Sequence, residues 1–528
     1  MRKLALVVML VFSAAMVFSG GRGQSSGTSG TSGPARITVE IFDRGTDGGK
    51  TDPTNNRWTA WIKEKLLKDE NIIVDFVPVP RFDETQALIN LMASGSPPDV
   101  AYTYSQSDIT NWGEQGGIFD VAPYLDTTLK DLNAFLGPDE GNPGKGLIER
   151  ARNNTTGQLF SMPARRMNTA MRNVFIRQDW LDKLGLPLPR TRQEYYDTLA
   201  AFKERDPGGV GRDRVIPFTM SIDVRWHAGN ILDSFIDVNL SDKERWINAA
   251  AERNFLLPGY KEGVRFLNRM YNAGLIDRDF PLYKDDTTVN NLIKSGVVGS
   301  FSQNWDQIYR EGDALLSDLQ KNVPGAMLVP VDCMESSDGL TRKAAYDAAG
   351  IFYFIPKTCK NPDAAMRYIN WLAKYENYHF IQTGPEGIVH NIVDGVLKLN
   401  PAASDGWIQN SAQNIDYTLM MNGLFLETRE KSIQAIAAGY PWPVDMVSNA
   451  YNLAMTNARP ALVVITKSPL TVEGPIRQTL TDKGEVLFVE SITAPANRFD
   501  AVYDAGLVDW KASGADDVVA ERRAKYPE

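Results

Sequence analysis

The residues of this sequence best suited to chemistry are flat aromatic rings beside planar polar groups, and the chemistry they suit is non-covalent. Trp305 follows the strand-like run Val297 to Ser302 and is flanked by Asn304 and Asp306; Trp226 lies in DVRWHAG and Trp442 in GYPWPV, both bounded by polar or turn residues. A ligand with apolar C–H faces and a rim of hydroxyls, as a sugar has, stacks on such rings and hydrogen-bonds to Arg, Asn, Asp and Glu. The same tryptophans could equally fill a core. Trp58, Trp61, Trp180 and Trp371 recur on helix-periodic faces and read as core. Arg165 and Arg166 offer adjacent guanidinium forks for hydroxyls or a carboxylate, and an acidic sugar fits if both face one site; solvated surface arginines are the alternative. Arg44 and Tyr104 follow the first and third strand-like runs, and Glu386 sits in a GPEG turn, either as a contact or as turn decoration.

Covalent catalysis lacks its usual signatures. His227, His379 and His390 are scattered, with no pair at metal-ligand spacing. No GxxxxGK[ST] phosphate loop occurs, and no GxSxG elbow joins a strand-like run to a helix, the string at Gly23 to Gly27 falling in a Gly/Ser/Thr-rich stretch. No metal and no cofactor is expected. A carbohydrate-active enzyme needs only two carboxylates, and the 65 acidic residues could supply them. Against that, no eightfold strand–helix repeat is present.

Such a site has to be positioned by a large scaffold. At 528 residues the chain exceeds one hydrophobic core and implies two lobes. A formal charge of −9 repels phosphate backbones, so nucleic acid is excluded as a partner. Arg2 and Lys3 followed by an apolar run to Phe18 read as an export signal over residues 1–21, and the Gly/Ser/Thr-rich residues 22–34 as a flexible tether. Ile37, Val39 and Ile41 alternate as a strand; Trp58, Ile62 and Leu66 make a helix; Ile72 to Val79 is a second strand; Asp83 to Gln86 reads as a capping pattern opening a second helix; Val100 opens a third strand. This βαβαβ order gives a parallel sheet, whose ligands bind beyond the carboxyl ends of its strands. A similar unit starts at Val174 to Arg177, with helices expected after Thr191, over Tyr260 to Asn272 and over Pro362 to Lys374. Cys333 and Cys359 are the two cysteines, and either a bridge or two buried thiols is open.

Several segments together carry a family resemblance: LMASGSPPDV (91–100), EQGGIFDVAPYLD (114–126), VFIRQDWLDKLGLPLPRTRQEYYDTLAAFKERDP (174–207), VGSFSQNW (298–305), IFYFIPKTCKNPDAAMRYINWL (351–372) and GPEGIV (384–389), with the helical tail Arg498 to Tyr526. In their order and spacing the chain resembles the extracellular solute-binding proteins of ABC importers, in the carbohydrate-binding group that includes the alginate-oligosaccharide-binding and LplA-like proteins. The resemblance implies an α/β fold of the two-lobe periplasmic-binding-protein-like kind (type II), with the ligand cleft between lobes joined by hinge crossings. On that scheme lobe one is 35–165 plus 349–395 and lobe two is 166–348 plus 396–528. It further implies an oligosaccharide ligand, an ABC permease as partner and a monomeric protein, with a peptide or other polar solute as the alternative cargo. Trp305 stands where relatives place a stacking aromatic, and Arg165 and Arg166 fall near the first lobe crossing. Two departures stand out. Gly21 occupies the place of the lipidated cysteine of many relatives, so a free periplasmic or extracellular form is expected. The loop Asp206 to Val215 lacks side-chain oxygens at Gly208 and Val210, where relatives carry an EF-hand-like calcium site, so calcium is not expected there.

Overall fold

A computed structural model describes residues 33–44, 52–139, 144–153, 155–310, 313–400, 407, 416–464, 466–468 and 470–527. The expected export signal and all but the last two residues of the tether lie outside these.

In the first lobe, Ala35–Asp43 and Ile72–Pro80 pair in parallel along their whole length, from Ala35 opposite Ile72 to Asp43 opposite Pro80. Helix Arg57–Glu70 makes the crossover and buries Trp58, Ile62 and Leu66, the stripe its sequence period marks out. Asn56 opens this helix by accepting from the N–H groups of Trp58 and Thr59. On the other side of the first strand, Val39 bridges to Val100 in parallel, leading into Ala101–Thr103. The second crossover is the helix Glu84–Ala93, but Asp83 makes no side-chain cap; residues Arg81–Asp83 form a 3₁₀ turn instead. The lobe continues as Ala101–Thr103 against Ala349–Phe354, then Met162–Arg166, then Met421–Asn422.

The second lobe has a four-stranded sheet ordered Ile216–Phe218, Val298–Asn304, Arg172–Arg177, Leu328–Val331. One side carries Trp180, Tyr195, Phe202, Tyr260 and Leu267, over which the C-terminal helices lay Leu487, Phe488, Tyr503 and Trp510. The other carries Phe175, Phe301, Leu316 and Tyr451.

The chain passes between lobes near 167–171, near 345–348 and after Phe425. The first of these crossings is bonded to the second and to the strand that precedes the third: Arg166 N–H donates to Ala348 O (2.7 Å), Tyr346 N–H to Thr169 O (2.9 Å) and Met167 N–H to Asn422 O (3.1 Å). Tyr417, Leu419, Met420 and Met421 pack in the first lobe's core. That core therefore extends to residue 422 and not only to 395, because this return segment adds a strand beside Met162–Arg166. Cys333 and Cys359 are free buried thiols in the cores of different lobes, which settles the open pairing.

Candidate binding cleft

Parallel pairing brings the carboxyl ends of three successive first-lobe strands to one place, and with them Arg44, Arg81 and Tyr104. The rings of Phe42 and Tyr104 lie nearly parallel at 6.4 Å, and the Arg81 guanidinium covers both, 5.1 Å and 4.4 Å from their centroids. Arg44 makes a bidentate pair with Asp416 at 2.6 and 2.8 Å, tying strand end to return segment. Phe42, Arg44, Tyr104 and Asp416, with Ile351, Met421 and Asn422, line a recess of about 280 Å³. Beneath it Glu40 accepts from Tyr102 N–H at 2.9 Å, and burial raises its carboxyl well above the usual range.

Across the hinge, Tyr346 donates to Asn304 Oδ1 at 2.8 Å and carries the Arg166 guanidinium on its ring, 4.6 Å from the centroid. The second lobe contributes Trp226, half-buried in the first turn of helix Val224–Asp233. Its orientation is fixed by a chain of hydrogen bonds. Trp226 Nε1 donates to Gln303 Oε1 (2.8 Å), Gln303 Nε2 donates to Asp286 Oδ2 (2.7 Å), and Asp286 Oδ1 lies 2.9 Å from His227 Nε2. The hydrogen bond from His227 holds the Asp286 carboxyl below its ordinary range. Arg172 stacks 5.1 Å from the Trp226 ring and donates to the carbonyls of Arg225 and Trp226.

Next to Tyr104 the lobes face each other across a gap of about 720 Å³. Tyr104, Gln106, Asn111, Arg152 and Asn153 line it from the first lobe, and Glu252, Thr471, Glu473 and Arg477 from the second. Tyr104 borders both spaces. The second-lobe wall is an alternating ion-pair chain, Arg225–Glu252–Arg477–Glu473–Arg522. Ala251 and Glu252 hold left-handed backbone there (φ 47° and 56°), a local strain of the kind found at ligand sites.

Glu521 ties down the gap-lining segment before helix Glu473–Thr493, accepting from Lys525 Nζ and from the N–H groups of Thr471 and Val472 at 2.8 to 3.1 Å. Burial opposes the charge, but Lys525 and these donors outweigh it and lower the Glu521 carboxyl from 4.5 to about 2. A depressed carboxylate stabilises above its unfolded pKa and loses that contribution as pH falls through the folded value. Amide exchange at residues 470–472, corrected for intrinsic rate, is therefore expected to speed up between pH 5 and pH 2 in the native protein and not in Glu521→Gln. A flat profile would remove Glu521 as the anchor.

The sequence candidates divide sharply. Arg44 and Tyr104 line the recess, whereas Arg166, Asn304 and Trp226 lie near the crossings and border neither the recess nor the gap. Trp305 does not: it is 2% exposed, edge-on to Tyr451 in the second lobe's core, and offers no face to a ligand. Asp306 is also taken up internally, accepting from Arg310 Nη2 and Tyr440 OH. Trp442 packs half-buried against that core and borders neither space. Arg165 points away from Arg166, its Nη1 donating to Phe135 O and Leu136 O at the end of helix Lys130–Leu136. Glu386 is exposed in its turn and borders neither space. The residues not anticipated are Arg81, Tyr346, Gln303 and Arg172. Arg81 could have been found by the strand-end rule that marked Arg44 and Tyr104; nothing local marks the other three.

In the loop after helix Arg192–Arg205, Asp206 accepts from the N–H groups of Val210 and Gly211 (3.0 and 2.8 Å). Lys203 Nζ donates to the carbonyls of Arg212 and Val215, and Lys183 Nζ to that of Pro207. Lysine ammoniums thus serve the oxygens a cation would otherwise draw together. Among the described residues no cluster of His, Cys, Asp or Glu could hold a metal ion, and no helix is long and apolar enough to cross a membrane.

Two α/β lobes joined by several crossings, with a polar gap between them that Tyr104 borders, define a hinged ligand-binding protein. Residues 51–378, more than half of the chain, match the family described as bacterial extracellular solute-binding protein, and the chain belongs to that family. Among curated relatives, it is 27% identical over 231 residues to the fructooligosaccharide ABC transporter substrate-binding protein FusA of Streptococcus pneumoniae, a match spanning 41% of each chain. It is 22% identical over 371 residues to the polygalacturonan/rhamnogalacturonan-binding protein YtcQ of Bacillus subtilis, covering 66% of this chain and 70% of that one. Among solved structures, alginate-binding protein AlgQ2 without calcium ion superposes with a TM-score of 0.62 at 17% identity, covering 94% of this chain and 98% of AlgQ2. FusA in complex with kestose gives 0.62 at 18% identity, covering 93% and 98%. At these identities the likeness establishes the two-lobe fold.

Proposed function

We propose that the protein captures an oligosaccharide between its lobes and closes on it as two hinged bodies, delivering the unaltered sugar to an ABC permease in the membrane. The observation carrying this reading is the interlobe gap that Tyr104 borders, with Trp226 on the second lobe and Tyr346, Arg166 and Asn304 in contact beside the crossings. A sugar ring asks for this combination of apolar face and in-plane hydrogen-bonding groups. The relatives named for fructooligosaccharide and for polygalacturonan or rhamnogalacturonan support the cargo class. The protein acts as an exported monomer outside the cytoplasmic membrane and performs no covalent chemistry.

Calorimetry against neutral and acidic oligosaccharides, with chromatography of the recovered ligand, tests this. Saturable binding with intact ligand is expected. Cleavage products would replace the reading with a carbohydrate-active enzyme, and affinity for peptides alone would change the cargo.

A further inference from the structure

We infer that the captured saccharide is anionic, a uronate or similarly carboxylated sugar, and that Arg166 at the hinge floor receives its carboxylate. The inference rests on the proposed capture of an oligosaccharide and names the chemical class.

Arg166 is the last residue of the strand Met162–Arg166, where the first lobe hands over to the first crossing. Its backbone is pinned to the second crossing through Ala348 O, so its side chain leaves from the pivot of the two lobes. The guanidinium lies over Tyr346, its Nε is buried without a partner, and it makes no side-chain hydrogen bond or ion pair with any described residue. Arginines nearby are arranged differently. Arg44 is bidentate to Asp416; Arg150 is bidentate to Asp139 and also meets Asp347; Arg225 pairs with Glu252. Arg172 spends its donors on two carbonyls and feels the buried Asp233 carboxylate. The groups favouring the Arg166 charge are the phenols of Tyr104 and Tyr346, and burial outweighs them, lowering the guanidinium from its ordinary value.

A guanidinium desolvated without a counter-charge is costly unless something supplies the acceptor. In a chain of net charge −9 a carboxylate would be the easiest partner to provide, yet none is placed here. The planar guanidinium lies beside the crossing that joins the lobes with its hydrogen-bonding capacity unspent, and such a fork matches a carboxylate bidentately. Stacking on Tyr346, whose hydroxyl is held by Asn304 of the second lobe, orients the fork without consuming its donors. A ligand carboxylate would then satisfy Arg166 and lie between groups from both lobes, linking charge recognition to closure.

The probes are trigalacturonate, its fully methyl-esterified form and neutral fructo- and malto-oligosaccharides, titrated into the full chain by calorimetry. The native protein is expected to bind the acid about tenfold or more tightly than the ester. Arg166→Gln should bring the acid down to the level of the ester, with a much smaller loss for the ester itself, and Arg166→Lys should recover part of the loss for the acid. The acid–ester comparison on unaltered protein stands even if a variant folds poorly. Equal affinity for acid and ester, equal loss of both in Arg166→Gln, or binding of neutral sugars alone would overturn the inference and leave oligosaccharide capture intact. Absence of binding to every saccharide would remove both.

Discussion

Tyr104→Ala is expected to weaken oligosaccharide binding by about 2 kcal/mol, close to thirtyfold, while leaving the fold intact. Tyr104 is the large aromatic that borders both the strand-end recess and the interlobe gap, and it is 37% exposed. Its ring is pre-ordered by contacts with Phe42 and Arg81, so little conformational entropy remains to be lost on meeting a sugar. Tyr104→Phe keeps the ring and loses only the contact between the hydroxyl and Asn422, at 3.3 Å, so a change within a few-fold is expected. Calorimetry on the two variants separates ring from hydroxyl. An unchanged Kd in Tyr104→Ala would take the recess out of the binding site.

The largest stability effect is expected at Gly259, which opens helix Tyr260–Asn272 with φ +89°. A Cβ there would lie 1.9 Å from the carbonyl oxygen of Phe235, a backbone atom that cannot step aside, in a conformation L-residues avoid. Gly259→Ala should therefore cost about 3 kcal/mol or more and lower the second lobe's melting temperature by roughly 6 °C or more. Gly274, at the other end of the same helix, has φ +70° but open space around its Cβ position. Gly274→Ala should cost only about 1 kcal/mol, the backbone strain alone. Similar melting temperatures for the two variants would show that the close approach at Phe235 relaxes freely.

Much of the frame was legible because periodicity is a local property. Ile37, Val39 and Ile41 alternate, Trp58, Ile62 and Leu66 recur at helical spacing, and both patterns bury as expected. Parallel strand order then places strand ends together whatever the rest of the chain does, which is why Arg44 and Tyr104 meet at one recess. Alternation also carried information about Arg165 and Arg166. Consecutive strand residues face opposite sides, so the pair could not both enter one site; one serves the carbonyls of a helix end and the other the hinge.

Trp305 marks the limit of such reasoning. It follows a strand end, as a cleft residue should, yet the next turn carries it inward against Tyr451, 146 residues further along the chain. Whether a strand-end ring faces solvent or core depends on what covers that side, and here the cover comes from helix Val444–Met455. Arg44 meets Asp416 across 372 residues, and Tyr346 meets Asn304 only because two crossings lie side by side. The sequence alone determined the α/β alternation, the two-lobe scale and the strand ends from which a site could be built, since each follows from spacing or from chain length. Which candidates face the gap, and which arginine lacks a counter-charge, only tertiary structure decided, because burial and charge pairing are sums over neighbours that chain order does not contain.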